Sequence, residues 1–144
     1  MKAENQELAS RLRAVVSKMH NQLRKHIYTE KALSLTETAT LSHLYKEGPS
    51  FPSVLADIVK VKNQSMSQIL NNLQELGYIT RKAVKEDKRK VTIAITPQGK
   101  KLVDKTRSQR DELLANAIQQ HLSDTEVKTL EKSIALIELL ANQM

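Results

Sequence analysis

The chain has no cysteine, and only three glycines and three prolines among its 144 residues. Without cysteine it can form no disulfide, no thiol redox sensor and no thiolate metal site. Aromatic residues make up only 3% of the chain, so the core must be built from aliphatic side chains. No apolar run approaches the length of a membrane span, and the polar N-terminus does not resemble a signal peptide. We therefore expect one cytoplasmic domain with no membrane partner.

All six glycines and prolines lie between residues 48 and 99, so both flanks of the chain lack helix breakers, which is typical of long helices. In the first flank, apolar side chains recur every three or four residues and form one stripe on a helix of about six turns. These residues are Leu8, Leu12, Val15, Met19, Leu23 and Ile27. In the second flank, Thr96 and Pro97 predict an N-cap and a first helical residue, and this helix should run to about His121.

The last helix is predicted to begin at the capping box Ser123-Asp-Thr-Glu126. Its apolar residues cover more than one face, which indicates burial on more than one side. They are Val127, Leu130, Ile134, Leu136, Ile137, Leu139, Leu140 and Ala141. A partner subunit is the expected second cover, which would make the protein a homodimer. The alternative is that this helix packs only on the N-terminal helix of its own chain.

The middle zone has the order of a winged helix-turn-helix. A helix should start with Thr36 as its N-cap and end at Gly48-Pro49. Six segments follow it in chain order: a helix Leu55–Lys60, a turn Val61–Asn63, a helix Gln64–Leu76 ending at Gly77, a strand Tyr78–Lys82, a basic loop Lys85–Lys90 and a strand Val91–Thr96. In such a motif the second helix enters the DNA major groove and the hairpin, or wing, reaches a neighbouring groove.

The net charge of +7 is concentrated around the predicted wing. Residues 79–107 carry ten basic and three acidic side chains, a surplus equal to the net charge of the whole chain. A localised basic patch attracts polyanions and releases counterions from phosphates, although a solvated basic surface without a partner is the alternative. Its position on a wing favours DNA. The candidate DNA-binding residues here are Lys85, Asp87, Lys88, Arg89 and Lys90.

The second helix of the motif separates into an apolar and a polar face. Its apolar residues are Met66, Ile69, Leu70, Leu73 and Leu76, which should pack on the preceding helices. Glutamine and asparagine on the other face suit the N6/N7 edge of adenine, which predicts an A·T-rich half-site. The alternative is a solvated polar face with no partner. The candidates for base contacts are Gln64, Ser65, Ser67, Gln68 and Asn71.

The run from Asp87 to Gly99 resembles the wing signature of the multiple-antibiotic-resistance-regulator (MarR) family. That signature is D-x-R, an alternating strand and L-T-x-x-G, with Ile95 here in place of leucine. The resemblance covers nearly the whole chain. It implies a mainly α fold with a β-hairpin wing and long terminal dimerisation helices. It also implies a homodimeric transcription regulator, usually a repressor, that binds a pseudo-palindromic operator and is released by a small-molecule effector. Arg89 would enter the minor groove, held by a hydrogen bond to Asp87.

The resemblance predicts a single domain over residues 1–144. Residues 30–99 would form the DNA-binding lobe, and residues 1–29 and 100–144 the helical dimerisation region. A winged-helix protein-interaction module is one alternative. A metal-responsive regulator is another, but the four histidines at positions 20, 26, 43 and 121 are scattered. The sequence contains no phosphate loop, nucleophile elbow or acid-base cluster, so we expect no enzyme, cofactor or metal site.

Overall fold

The computed structural model describes residues 1–26 and 33–144. Within these ranges the chain forms six helices and one antiparallel hairpin, which confirms the predicted mainly helical winged fold. In chain order they are α1 (Lys2–Lys25), α2 (Leu35–Glu47), α3 (Pro52–Val59), α4 (Asn63–Glu75), β1 (Ile79–Ala83), β2 (Val91–Ile95), α5 (Pro97–His121) and α6 (Asp124–Gln143). None of the described helices is both long and apolar enough to cross a membrane.

Three helices begin earlier than predicted: α4 begins at Asn63, one residue before the predicted Gln64, and α2 and α3 begin earlier for identifiable reasons. The N-cap of α2 is Ser34 and not Thr36, because Ser34 has an acidic residue at the third helical position. Its hydroxyl accepts a hydrogen bond from the Glu37 amide at 3.2 Å, and the Glu37 carboxylate accepts one from the Ser34 amide at 3.0 Å. Helix α3 begins at Pro52 and not at Leu55, because proline has the backbone angle of a first helical residue and needs no amide there.

The two later helix starts are confirmed. Thr96 caps α5, since its hydroxyl accepts a hydrogen bond from the Gly99 amide at 3.0 Å. Ser123 caps α6, and the Glu126 carboxylate accepts a hydrogen bond from the Ser123 amide at 2.8 Å. Hydrogen bonds from the Ser123 amide and hydroxyl hold the pKa of Glu126 below its ordinary value, because they stabilise the charged form.

The chain divides into two compact units, Met1–Ile27 with Ser108–Met144, and Tyr28–Arg107. The second unit contains the core, which is aliphatic as the composition predicted. Its fully buried side chains are Thr40, Leu41, Leu44, Leu55, Met66, Leu70, Leu73, Ile79 and Ile93. The hairpin pairs Ile79 with Ile95 and Ala83 with Val91, and Ser50 adds a short bridge to Ile93. Helices α2, α3 and α4 therefore pack with the hairpin around one core.

The first unit is built differently, because α1 and α6 contain no buried residue. The predicted apolar stripe of α1 is exposed at Leu8, Val15 and Met19, while Leu12 and Leu23 are half-buried. Ile27, the last residue of that stripe, lies outside the described residues. On α6 the exposed apolar side chains are Ile134, Leu136, Ile137, Leu139 and Leu140. This unit thus presents a large apolar surface.

Candidate nucleic-acid interface

Helix α4 has the two faces that its sequence predicts. Met66, Leu70 and Leu73 are completely buried, and Ile69 and Leu76 are half-buried. Each of the five candidate base-contact residues is exposed: Gln64, Ser65, Ser67, Gln68 and Asn71. The helix is thus fixed to the core on one side and presents uncharged hydrogen-bonding groups on the other.

One candidate donor on this face is already engaged. The Ser67 hydroxyl donates to the Asn63 carbonyl oxygen at 3.1 Å, within the same helix. A hydroxyl has one donor hydrogen and two acceptor lone pairs. In this rotamer Ser67 can therefore accept a hydrogen bond from a base but has none left to donate.

Contacts with neighbouring elements fix the C-terminal half of α4. The Asn72 side-chain amide donates to the Glu37 carboxylate on α2 at 2.6 Å. On the opposite side, Arg81 of β1 donates to the Asn71 side-chain oxygen at 2.8 Å and to the Gln74 side-chain oxygen at 2.9 Å. The helix is therefore held between α2 and the hairpin by polar contacts as well as by its buried face.

Arg81 was predicted only as part of the basic patch, and its contact with the exposed polar face of α4 was missed. The signal was its spacing from Ile79, since residues two apart on a strand share a face. Ile79 is 2% exposed and forms part of the core, whereas Arg81, on the same face of β1, is exposed. The spacing therefore indicates the face of the strand, whereas the two amide partners of Arg81 depend on how the hairpin packs on α4.

The wing loop between the strands is closed by its own backbone and by one carboxylate. The Val84 amide donates to the Lys90 carbonyl, and the Lys90 amide donates to the Asp87 carbonyl, both at 3.0 Å. One oxygen of the Asp87 carboxylate accepts from the Arg89 amide at 3.1 Å and from the Arg89 side-chain Nε at 3.3 Å. Asp87 thus holds both the backbone amide and the Nε atom of Arg89, and so orients its side chain.

The tip of the wing is strongly basic and open to solvent. The Arg89 side chain is 93% exposed although it is paired with Asp87. An exposed ion pair of this kind contributes at most about 1 kcal/mol to stability, so its consequence is orientation. Lys85, Lys88 and Lys90 are also exposed. The loop therefore presents four cations around one anchoring carboxylate.

A metal centre would need several histidine or carboxylate side chains close together. In residues 1–26 and 33–144, no group of three or more histidine, aspartate or glutamate side chains could hold a metal ion. One ring nitrogen of His26 instead lies 2.8 Å from the carbonyl oxygen of Gln22, one turn earlier in its own helix. A hydrogen bond between these two atoms would hold the ring against its own helix.

Another polar cluster in the same unit joins α2 to α5. The Tyr45 hydroxyl donates to the Asp104 carboxylate, and the Arg107 guanidinium lies 4.5 Å from the centre of the Tyr45 ring. The hydrogen bond to Asp104 raises the pKa of the Tyr45 hydroxyl, because it favours the protonated phenol. This cluster holds α2 against the start of α5.

Comparison with known proteins gives a consistent result. A sequence profile of the MarR family matches residues 33–90. The chain is 30% identical over 117 residues to the HTH-type transcriptional regulator ML2140 of Mycobacterium leprae, covering 81% of each chain. The crystal structure of transcriptional regulator Tm0710 from Thermotoga maritima matches with a TM-score of 0.82 at 20% identity, covering 96% of each chain.

A second solved structure with this fold contains nucleic acid. It is a mutant of MepR from Staphylococcus aureus bound to an oligodeoxyribonucleotide. It matches with a TM-score of 0.70 at 21% identity and covers 95% of this chain and 98% of that one. At this identity the likeness establishes the fold alone.

Proposed function

The chain belongs to the MarR family of winged helix-turn-helix transcription regulators, and on that premise we propose that it is a homodimeric repressor of transcription. Members of the family are regulators and not enzymes, as the lack of catalytic motifs predicted. Each subunit would insert α4 into a major groove and the wing into the adjacent minor groove. The observation that supports this proposal most directly is the exposed, uncharged face of α4 beside a basic hairpin tip whose Arg89 is oriented by Asp87.

The wing residues Lys85, Asp87, Lys88, Arg89 and Lys90 would supply affinity. Cations at an exposed loop gain free energy by releasing counterions from phosphates, and a minor-groove arginine reads little sequence. The Asp87 carboxylate would contribute indirectly, since it directs Arg89 and carries no attraction for DNA. The binding of a MepR mutant to an oligodeoxyribonucleotide supports this use of the fold.

The α4 residues Gln64, Ser65, Ser67, Gln68 and Asn71 would supply sequence preference. Amide side chains pair well with adenine, and α4 carries no arginine to read guanine, so we expect an A·T-rich half-site. A symmetric dimer would place two such half-sites about one helical turn apart, which makes the operator pseudo-palindromic.

The homodimer is proposed from the surface of the first unit. A helix gains most of its stability in a protein by burying an apolar face, yet α1 and α6 bury no residue. Leu136 and Leu139 of α6 are 64% and 58% exposed. A second copy of the chain is the expected cover, so residues 1–29 and 100–144 would form the dimerisation region and residues 30–99 the DNA-binding lobe. Sedimentation at micromolar concentration should give about twice the 16.3 kDa chain mass, and a well-folded monomer would contradict this.

Release by a small-molecule effector completes the proposal and comes from family likeness alone. We expect the protein to act in the cytoplasm, because its relatives come from bacteria, whose DNA lies in that compartment. The test is selection of bound sequences from random double-stranded DNA, repeated with candidate effectors present. Enriched pseudo-palindromes whose affinity falls steeply with salt would support the proposal. Failure to enrich any sequence, with affinity insensitive to salt, would favour a protein-interaction module instead.

A further inference from the structure

Arg81 joins the hairpin to the face of α4 that is proposed to read bases. Its Nη2 lies 2.8 Å from Asn71 Oδ1, and its Nη1 lies 2.9 Å from Gln74 Oε1. Asn71 and Gln74 are three residues apart, so their side chains are neighbours on the helix surface. We call this pair of hydrogen bonds the Arg81 clip.

The chemistry of the clip fixes the orientation of both amides. A guanidinium has five N–H donors and no acceptor, so the oxygen of each amide must face it. Turning either amide by half a rotation would set N–H donors against N–H donors. The Asn71 oxygen therefore faces Arg81, and its NH₂ group is the end that remains for another partner. Without the clip, the terminal torsion of asparagine is broad and roughly two-fold, so both orientations would be available.

We propose that Arg81 is a positioning residue that sets which base edge Asn71 reads. This inference rests on the proposed function, because it assumes that α4 lies in a major groove. With its orientation fixed, Asn71 offers its donor end to the base, and the bidentate adenine pair, which also needs the amide oxygen, is left to Gln64 and Gln68. The major-groove acceptors are N7 and O6 of guanine, N7 of adenine and O4 of thymine. A cytosine N4 amino group at that position would meet a donor and be rejected.

The test uses an operator selected by the parent protein and its single-base variants. The base pair read by Asn71 is identified as the pair at which Asn71→Ala loses discrimination. At that pair, Arg81→Ala should reduce the affinity ratio that disfavours cytosine by about tenfold. A change of that size corresponds to the cost of leaving roughly one hydrogen-bond donor unpaired. Discrimination at the pair read by Gln64, about two turns away along α4, should be unchanged.

Lys82→Ala is the matched control. Lys82 is the next residue on β1, is exposed and carries the same charge, but in a strand its side chain points to the opposite face. If Arg81 acted only as a phosphate contact, Arg81→Ala would weaken binding to every sequence alike and lower the salt slope by about one, without changing base discrimination. The clip predicts that only Arg81→Ala changes base discrimination. It also predicts partial rescue by Arg81→Lys, because a lysine can donate to one amide oxygen without matching the fork of both.

A double variant separates positioning from a general loosening of the hairpin. In an Asn71→Ala background, Arg81→Ala should have no further effect at the Asn71 pair, since there is no amide left to orient. Asn71→Asp should keep a partner for Arg81 yet lose the donor to the base, and so lose the same discrimination.

Three results would overturn the clip: full discrimination in Arg81→Ala, equal loss at every base pair, or an Asn71→Ala variant that discriminates like the parent. Failure of the proposed function looks different, because the parent itself would then bind DNA without sequence preference.

Discussion

Replacing Gly99 by alanine is the sharpest test of how the wing is joined to α5. Gly99 is the third residue of α5 and is buried. A Cβ atom at this position would lie 2.4 Å from the carbonyl oxygen of Tyr78 and 2.7 Å from Cγ1 of Ile95. Both distances are too short, and the first involves backbone, so no side-chain rotation could relieve the overlap. The glycine of the wing signature is thus explained by close approach of α5 to the start of the hairpin.

The carbonyl of Tyr78 cannot retreat freely, because it accepts a hydrogen bond from the Thr96 amide at 2.9 Å. The Thr96 hydroxyl is also committed, donating to the Gly77 carbonyl at 2.6 Å and accepting from the Gly99 amide at 3.0 Å. Overpacking of this kind costs about 1–3 kcal/mol, and weakening one hydrogen bond adds about 1 kcal/mol. Alanine regains about 1 kcal/mol of helix propensity over glycine. We therefore expect a net loss of about 2 kcal/mol in the free energy of unfolding.

Urea denaturation at one fixed protein concentration measures this loss, because mass action makes the stability of a dimer depend on concentration. Lys100→Ala is the control, since Lys100 is the next residue of α5 and is exposed. The free energy of unfolding of the Lys100→Ala variant should differ from that of the parent by no more than about 0.5 kcal/mol. A Gly99→Ala variant as stable as the parent, or more stable, would show that helix propensity dominates and that the close approach does not constrain the joint.

Three further predictions concern DNA binding and pH. Arg89→Ala should weaken binding to operator and to unrelated DNA alike, because minor-groove and phosphate contacts read little sequence, and Asp87→Ala should cause a smaller loss of the same kind. Competition binding at moderate salt measures both losses. Normal operator affinity in the Arg89→Ala variant would contradict the proposed role of the wing. Gln68→Ala should lose on the order of 1–3 kcal/mol of discrimination at one base step with little change in salt slope, measured on single-base operator variants. The hydrogen bonds that Glu126 accepts lower its pKa, so the stability that they provide is present above the ordinary carboxyl pKa and is lost as pH falls through the lowered value. The melting temperature of Glu126→Gln should therefore depend less on pH in the acid range than that of the parent. The same pH dependence in both proteins would contradict the contribution of this cap.

Local signals made most of the element order predictable. The capping box at Ser123 and the Thr96–Pro97 pair act through neighbouring backbone, so the sequence alone located both helix starts. Where two local signals competed, the prediction was wrong by a few residues. Ser34 and Thr36 both carry capping hydroxyls, and the acidic residue that decides between them is Glu37, which also contacts α4.

The exposure of the polar face of α4 was predictable because helical periodicity separates Met66 and Leu70 from Gln68 and Asn71. The contact between Arg81 and Asn71 was not, since it depends on how β1 meets α4. That geometry is set by packing of the hairpin on the core and by the pairing of Arg81 with Ile93, which are both non-local. The sequence shows that Arg81 is a cation, but its hydrogen-bond partners can be identified only from the folded structure.

On the proposed function, affinity and specificity would come from different parts of one small unit. Helix α4 has no lysine or arginine, and the first cation after it, Arg81, donates to amides of the same unit. Four exposed cations lie in the wing loop, namely Lys85, Lys88, Arg89 and Lys90, and salt would screen their attraction for phosphate. Hydrogen bonds from α4 to base edges, by contrast, release few counterions. Raising the salt concentration should therefore lower affinity for all DNA while leaving the ratio between operator and single-base variants nearly constant. A ratio that collapsed with salt would mean that the wing, and not α4, carries the sequence preference.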